Sequence, residues 1–230
     1  MLRALLDLIF PVSCPCCGNE PEPDGPEYIC GSCWQEIEWV NSKGCLNCGR
    51  PLEASGTCGS CEEASSCLDS FHIACYYSGN IRSIIINFKY NGKRYLGKTI
   101  GDILSECWKE TEPGFFDAVV PVPLHPSRLR QRGYNQSLLA AKRLSLFCGI
   151  PVRTELLTRS RDTSPQVSLG KEERDDNMKR AFTASSMVRE KKILIVDDVA
   201  TTGATVRSCA LALKMGGAAF VGALAAAHGK

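Results

Sequence analysis

Four pairs of cysteines, each spaced by two intervening residues, fall between Cys14 and Cys61: Cys14/Cys17, Cys30/Cys33, Cys45/Cys48 and Cys58/Cys61. Two thiolates at that spacing can turn inward at one tight loop and take two corners of a tetrahedron, and a second pair supplies the other two corners. The pattern predicts two all-cysteine Zn²⁺ sites. Gly18 and Gly49 follow the second cysteine of their pairs, where a backbone free to take positive φ lets amides face the thiolates. The simplest pairing is sequential, as in a double zinc ribbon, although a cross-braced pairing satisfies the same spacing. Cys16 can replace Cys17 as a ligand or stand as a spare thiol. A closed four-thiolate site keeps no position for water, so the metal is expected to fold this module rather than to catalyse.

The 230 residues carry fourteen cysteines. Met1 to Val12 is apolar, but Asp7 interrupts a stretch already short for an export signal, and an amphipathic helix packed on its own domain is expected there. No window approaches the roughly 20 apolar residues of a membrane-spanning helix. The chain therefore reads as cytoplasmic, where clustered thiols mean metal rather than disulfides. A net charge of +2 hides two unlike parts. Residues 1–75 hold three Lys/Arg against eleven Asp/Glu, whereas residues 76–230 hold twenty-four against fourteen. This asymmetry predicts two modules, an acidic double zinc ribbon with a short N-terminal helix over 1–65 and a basic α/β body over 66–230.

In the body the periodicity changes. Phe71 to Tyr77 reads as a strand, Ile81 to Tyr90 and Leu96 to Trp108 as helices, Asp117 to Val122 as a buried strand, and Asn135 to Phe147 as a helix. Lys192 to Val196 and Phe220 to Ala227 are further strands around a helix ending at Met215. Strands alternating with helices predict an α/β fold, a mainly parallel sheet covered on both faces. Most informative is Ile193 to Val206: a buried strand runs into Asp197 and Asp198, and then a loop of small and hydroxyl residues, Thr201-Thr202-Gly203-Ala204-Thr205, opens a helix. Ligands of such sheets bind beyond the carboxyl ends of the strands. Loop amides, Thr hydroxyls and the positive helix end form a seat for a phosphate monoester, and the two carboxylates can accept hydrogen bonds from sugar hydroxyls. No Walker loop and no GxGxxG fingerprint is present.

The run Leu194 to Thr205 resembles the phosphoribosyl-diphosphate signature of type I phosphoribosyltransferases. With Val120-Pro121-Val122-Pro123-Leu124-His125-Pro126, Arg128, Arg132-Gly133-Tyr134-Asn135-Gln136, Arg161-Asp162-Thr163, Gln166 and the cysteine-paired head, the chain is similar to the ComF family of bacterial competence and DNA-utilisation proteins. Ala200 departs from the larger aliphatic usual at its position. The resemblance implies a phosphoribosyltransferase-like sheet preceded by a zinc ribbon. Residues 201 to 205 would bind the 5′-phosphate of phosphoribosyl diphosphate, and Asp197 and Asp198 its ribose. The loop Val122 to Pro126 would lie near the diphosphate, with Mg²⁺ bridging diphosphate and ribose oxygens.

Arg128 and Arg132, four apart, would share a helix face and clamp diphosphate, with Arg130 pointing elsewhere. His125, between Pro123 and Pro126, is expected to play a structural role, and Trp34 and Trp39 to pack beneath the zinc loops. The zinc head and the segment Phe71 to Lys98 would form the hood that selects an acceptor. Two functions follow: Mg²⁺-dependent transfer from phosphoribosyl diphosphate to an acceptor, or a non-catalytic ligand sensor or adaptor in DNA uptake. Residues 120–192 hold fifteen basic against seven acidic side chains, a surface suited to diphosphate, single-stranded DNA or an acidic protein. The resemblance adds a helicase of the uptake machinery as a partner. Aromatics for base stacking are sparse there, Tyr134, Phe147 and Phe182 only.

Overall fold

The computed structural model describes residues 13–22, 26–40, 43–54, 56–62, 66–109, 116–159 and 181–229. The expected N-terminal helix over Met1 to Val12 and the Arg161-Asp162-Thr163 motif with Gln166 lie outside the described residues.

Six strands form one sheet. In chain order they are β1 (Lys43–Gly44), β2 (Pro51–Leu52), β3 (Ser70–Tyr76), β4 (Ala118–Pro121), β7 (Lys192–Ala200) and β8 (Phe220–His228), and across the sheet the order is β2-β1-β3-β8-β7-β4. β3, β8, β7 and β4 run parallel, as the alternating pattern predicts. A separate antiparallel pair joins β5 (Leu157–Arg159) to β6 (Phe182–Ala184).

β7 lies between β8 and β4, and its side chains feed two cores: Ile193 and Ile195 on one face, Leu194 and Val196 on the other. That two-sided burial explains why the strand reads as a continuous apolar run instead of an alternating one. One core takes the short α1 (Gly31–Gln35) through Cys33 and α2 (Gly79–Tyr90) through Ile81, Ile84, Ile85 and Phe88, with α3 (Gly97–Trp108) and α5 (Gln136–Cys148). The other takes α6 (Ala204–Met215) through Val206, Cys209, Ala210 and Leu213. Buried residues of α2 recur at three- and four-residue steps, which put them on one stripe of the helix. α3 and α5 approach closely because a Cβ on Gly101 would come within 2.3 Å of Arg143 Cβ. Arg143 then closes an ion pair with Asp102 at 2.6 Å.

The short helix α4 (Pro126–Arg132) accounts for part of the motif around it. His125 caps it, accepting from the Ser127 amide at 3.3 Å, and Pro126 opens its first turn, where a missing N–H costs nothing. Gly133 ends it in the left-handed conformation, φ +77°. Asn135 then caps α5, accepting from the Leu138 amide, and its own amide donates to the Val122 carbonyl at 3.0 Å. The structural role expected of His125 is thus visible as a helix cap.

Two expectations are corrected. The strand carrying Asp197 and Asp198 does not stop before them but continues to Ala200, so both aspartates sit inside β7 with Asp197 in register with Ala225. The hood expected of Phe71 to Lys98 is corrected in its first part: Phe71 to Tyr76 belong to β3, an interior strand between β1 and β8. The head instead reaches into the body's sheet. β1 pairs antiparallel with β2, with Lys43 opposite Leu52, and with β3, with Lys43 opposite His72. Gly49 seats the second cysteine loop on the sheet: at φ +77° it leaves room for the Phe71 ring, which a Cβ would approach to 2.8 Å. No helix among the described residues is long and apolar enough to cross a membrane.

Candidate functional site

Among the described residues, two groups of metal-type ligands converge, and both are cysteine sets: Cys14, Cys17, Cys30 and Cys33, then Cys45, Cys48, Cys58 and Cys61. Sequential pairing holds and the cross-braced alternative does not. Within each set the ligand sulfurs lie within 4.8 Å of one another, with Cys17 and Cys30 at 3.4 Å and Cys48 and Cys58 at 3.7 Å. A tetrahedral zinc with bonds of about 2.3 Å separates its sulfurs by about 3.8 Å, so the donor sets fit the ion. Cys16 belongs to neither set; its thiol points to the Asn80 carbonyl at 3.6 Å.

Surrounding donors favour the thiolate at Cys30 and Cys45, whereas burial and then neighbouring cysteines raise Cys33, Cys48 and Cys61. Ser32, 3.3 Å from the Cys30 sulfur, and the Cys33 amide hold Cys30 at about 6. Burial pushes Cys45 upward, but hydrogen bonds from the backbone of Cys58, Cys48 and Asn47 outweigh it and bring the thiol to about 6. Trp34 and Trp39 meet edge to face at 5.4 Å and pack on the core beside the first set, as expected of structural aromatics. Asn80, at the start of α2, donates to the Cys33 carbonyl at 3.0 Å and ties the first set to the body.

At the carboxyl end of β7 lies an open hollow of about 220 Å³, lined by Asp197 and the run Val199 to Val206. Thr201 and Thr202 are exposed, Ala204 and Thr205 half-buried and Gly203 buried. Gly203 takes φ +69° and turns the chain into α6, whose first turn carries the amides that a helix leaves without internal partners. The Ala204 amide donates to the Thr202 hydroxyl at 3.4 Å. This arrangement can hold an anion without any side-chain cation, through amides, hydroxyls and the helix dipole.

The two aspartates differ. Asp198 is 5% exposed and pairs with Lys89 of α2 at 2.9 Å. Asp197 is partly exposed and accepts from the Ser137 hydroxyl and from the Asp198 amide, each at 2.9 Å. Burial, then the neighbouring Asp198 charge, lift Asp197 to about 7, against the pull of Lys89 and the two donors. Lys89 and Ser137 are site residues that the sequence reading missed. Lys89 lies beside the apolar stripe of α2 and Ser137 in the first turn of α5, and nothing in a single sequence connects either to residues sixty or more positions away.

Arg128 and Arg132 fall on α4, both half-buried, while Arg130 is exposed. Arg132 donates to Gln136 at 3.2 Å and stacks over the Tyr90 ring at 5.6 Å, and Arg94 stacks over Tyr134 at 5.8 Å. Tyr134 packs against Phe88, and its hydroxyl donates to the Phe88 carbonyl. The loop before α4 follows β4, the neighbour of β7, at the same end of the sheet as the hollow.

Comparison with known proteins places two family models on the chain. A double zinc ribbon domain matches residues 5–62, and a phosphoribosyl transferase domain matches residues 137–229. The chain is 31% identical over 182 residues to the DNA utilization protein YhgH of Escherichia coli K12, covering 77% of this chain and 80% of that protein. It is 27% identical over 194 residues to Competence protein F of Haemophilus influenzae, covering 81% and 84%. It is 29% identical over 194 residues to Competence protein ComFC of Streptococcus pneumoniae, covering 83% of each.

Proposed function

This chain belongs to the ComF family of bacterial competence and DNA-utilisation proteins, and from that premise we propose that its body binds phosphoribosyl diphosphate and transfers the phosphoribosyl group to an acceptor in the handling of external DNA. One observation carries the reading: the Thr201 to Thr205 loop lines a hollow together with Asp197 at the carboxyl end of an interior parallel strand, inside the segment matched by the phosphoribosyl transferase model. In this reading the loop seats the 5′-phosphate, and Asp197 and Asp198 accept hydrogen bonds from the ribose hydroxyls. Lys89 pairs with Asp198 and the Ser137 hydroxyl donates to Asp197, so the acceptors are oriented before the sugar arrives. Arg128 and Arg132 supply positive charge for the diphosphate.

The fit of Mg²⁺ follows from the donors. No carboxylate cluster lies among the described residues, and Asp198 is engaged by an ammonium, so the ion's hard oxygen ligands would come mainly from the diphosphate and ribose, with Asp197 the nearest protein donor. When bound it would neutralise charge on the leaving diphosphate. The two zinc ions hold the head's fold and take no part in transfer.

The two modules are proposed to divide at about residue 65, with the head's strands completing the body's sheet. Single-stranded DNA and a helicase of the uptake machinery are the proposed partners of the basic body.

The test is diphosphate release from phosphoribosyl diphosphate and Mg²⁺ by the zinc-loaded chain, screened against bases, amines and single-stranded DNA. Release that needs an acceptor and is lost in Asp198→Asn supports transfer. Tight binding with no release across the panel replaces it with the sensor reading, and absence of binding removes both.

A further inference from the structure

The turn between two ligands of the second zinc set rests directly on the phosphate loop. A Cβ on Gly203 would stand 2.3 Å from the Asn47 carbonyl oxygen and 2.7 Å from Cys48 Cα, so the two backbones touch where any side chain would separate them. Arg207, in the first turn of α6, locks this contact. Its Nη1 donates to the Asn47 carbonyl and to the Thr202 carbonyl, each at 2.8 Å. One guanidinium nitrogen thus holds a carbonyl from the zinc turn and a carbonyl from the loop, and neither can shift without straining the other. Just after β8, the Gly229 amide donates to the Ala200 carbonyl at 2.8 Å, directly before the loop. Asn47 is fully buried at this contact. Among the described residues the first zinc set makes no such contact with the loop. It is tied instead to the start of α2, through Asn80.

We propose that Arg207 is a positioning residue that couples the second zinc site to the phosphate loop. Zinc on Cys45, Cys48, Cys58 and Cys61 fixes the Asn47 turn, and Arg207 passes that constraint to Thr202 and Gly203, which line the hollow. Coupling of this kind is reciprocal: whatever zinc contributes to phosphate affinity, a bound phosphate contributes to zinc retention. The ligand half of this inference rests on the phosphate-binding reading above, whereas the link between Arg207 and the zinc turn stands on the contacts alone.

The experiment follows zinc transfer from the full, zinc-loaded chain to excess 4-(2-pyridylazo)resorcinol, with ribose 5-phosphate as the probe. Cys17→Ser and Cys58→Ser assign the release phases to the first and second sites. Without ligand, Arg207→Ala is expected to speed release from the second site and leave the first unchanged. Arg207→Lys, which keeps the charge but not the planar fork, is expected to fall between, and it carries the comparison if the alanine variant does not fold. Saturating ribose 5-phosphate is expected to slow second-site release in the wild type by about fivefold, the low end of typical couplings between sites, and to have no effect in Arg207→Ala. Calorimetry on the same preparations reports whether the ligand binds. If it does not bind, the phosphate reading falls while the ligand-free arm still decides the link to zinc. Wild-type release rates in the ligand-free Arg207 variants, or an equal effect of bound ligand on both sites, would overturn the proposal.

Discussion

Replacing Gly203 by alanine, with Gly133→Ala as its partner, measures how tightly the head is set on the loop. Both glycines hold left-handed backbone, φ +69° and +77°, so both variants carry the same conformational penalty, about 1–2 kcal/mol. Only their surroundings differ. Around Gly133 a Cβ meets nothing within 4 Å, whereas at Gly203 it meets the Asn47 oxygen at 2.3 Å and Cys48 Cα at 2.7 Å. Both obstacles are backbone atoms, which cannot rotate away, so relief requires the zinc turn to move off the loop. Overpacking of this kind costs about 1–3 kcal/mol. The expected difference between the variants is therefore about 2 kcal/mol. For a chain of this size that is about 6 °C in Tm, since each kcal/mol shifts the midpoint by about 2–4 °C. Thermal melts of zinc-loaded protein, read by far-ultraviolet circular dichroism under one set of conditions, give both shifts. Equal midpoints for the two variants would refute the claim that the second zinc turn and the phosphate loop pack backbone to backbone.

Other consequences can be checked in parallel. Asp197 is raised to about 7, so its share of stability is fully present below the ordinary carboxylate range near 4 and is lost as pH rises through about 7. Wild type should therefore lose more stability between pH 6 and 8 than Asp197→Asn, by chemical denaturation at each pH. Lys89→Met strands the buried Asp198 carboxylate and should cost about 3 kcal/mol. Adding Asp198→Asn should recover most of that loss, as a double-mutant cycle reports. Cys16→Ser should keep two zinc ions per chain by elemental analysis, whereas Cys17→Ser should lose one. Chelation of both ions should unfold the head and release the β1–β2 pair from the sheet edge, seen as loss of amide protection in hydrogen exchange.

What was legible in the sequence was what spacing and period encode locally. The cysteine pairs announced two tetrahedral sets because two intervening residues suffice to turn two thiolates inward. The stripe Ile81, Ile84, Ile85, Phe88 announced its helix, and the unbroken Ile193 to Val196 announced a strand buried on both faces. The choice of Cys17 over Cys16 was not legible, since both positions suit a turn; the fold decides it by turning Cys16 toward Asn80. Nor was the end of β7. Two adjacent carboxylates read as the exit of a strand, yet Lys89 and Ser137 supply the partners that let them stay within the ladder. The joining of β1 and β2 to the sheet rests on strands two residues long, too short for any period to show. The bond from Arg207 to Asn47 spans 160 positions, and neither residue carries a local mark of it.

The account turns on whether the Thr201 to Thr205 loop seats a sugar phosphate, and titration calorimetry of the full, zinc-loaded chain with ribose 5-phosphate measures this directly, in wild type and in Ala204→Asp. That substitution sets a carboxylate in the seat itself, while an acidic residue in the first turn of α6 favours the helix, so the fold should survive. The account predicts one ribose 5-phosphate per wild-type chain and no measurable binding in the folded variant. No binding to the wild type, or equal affinity in both proteins, would contradict it.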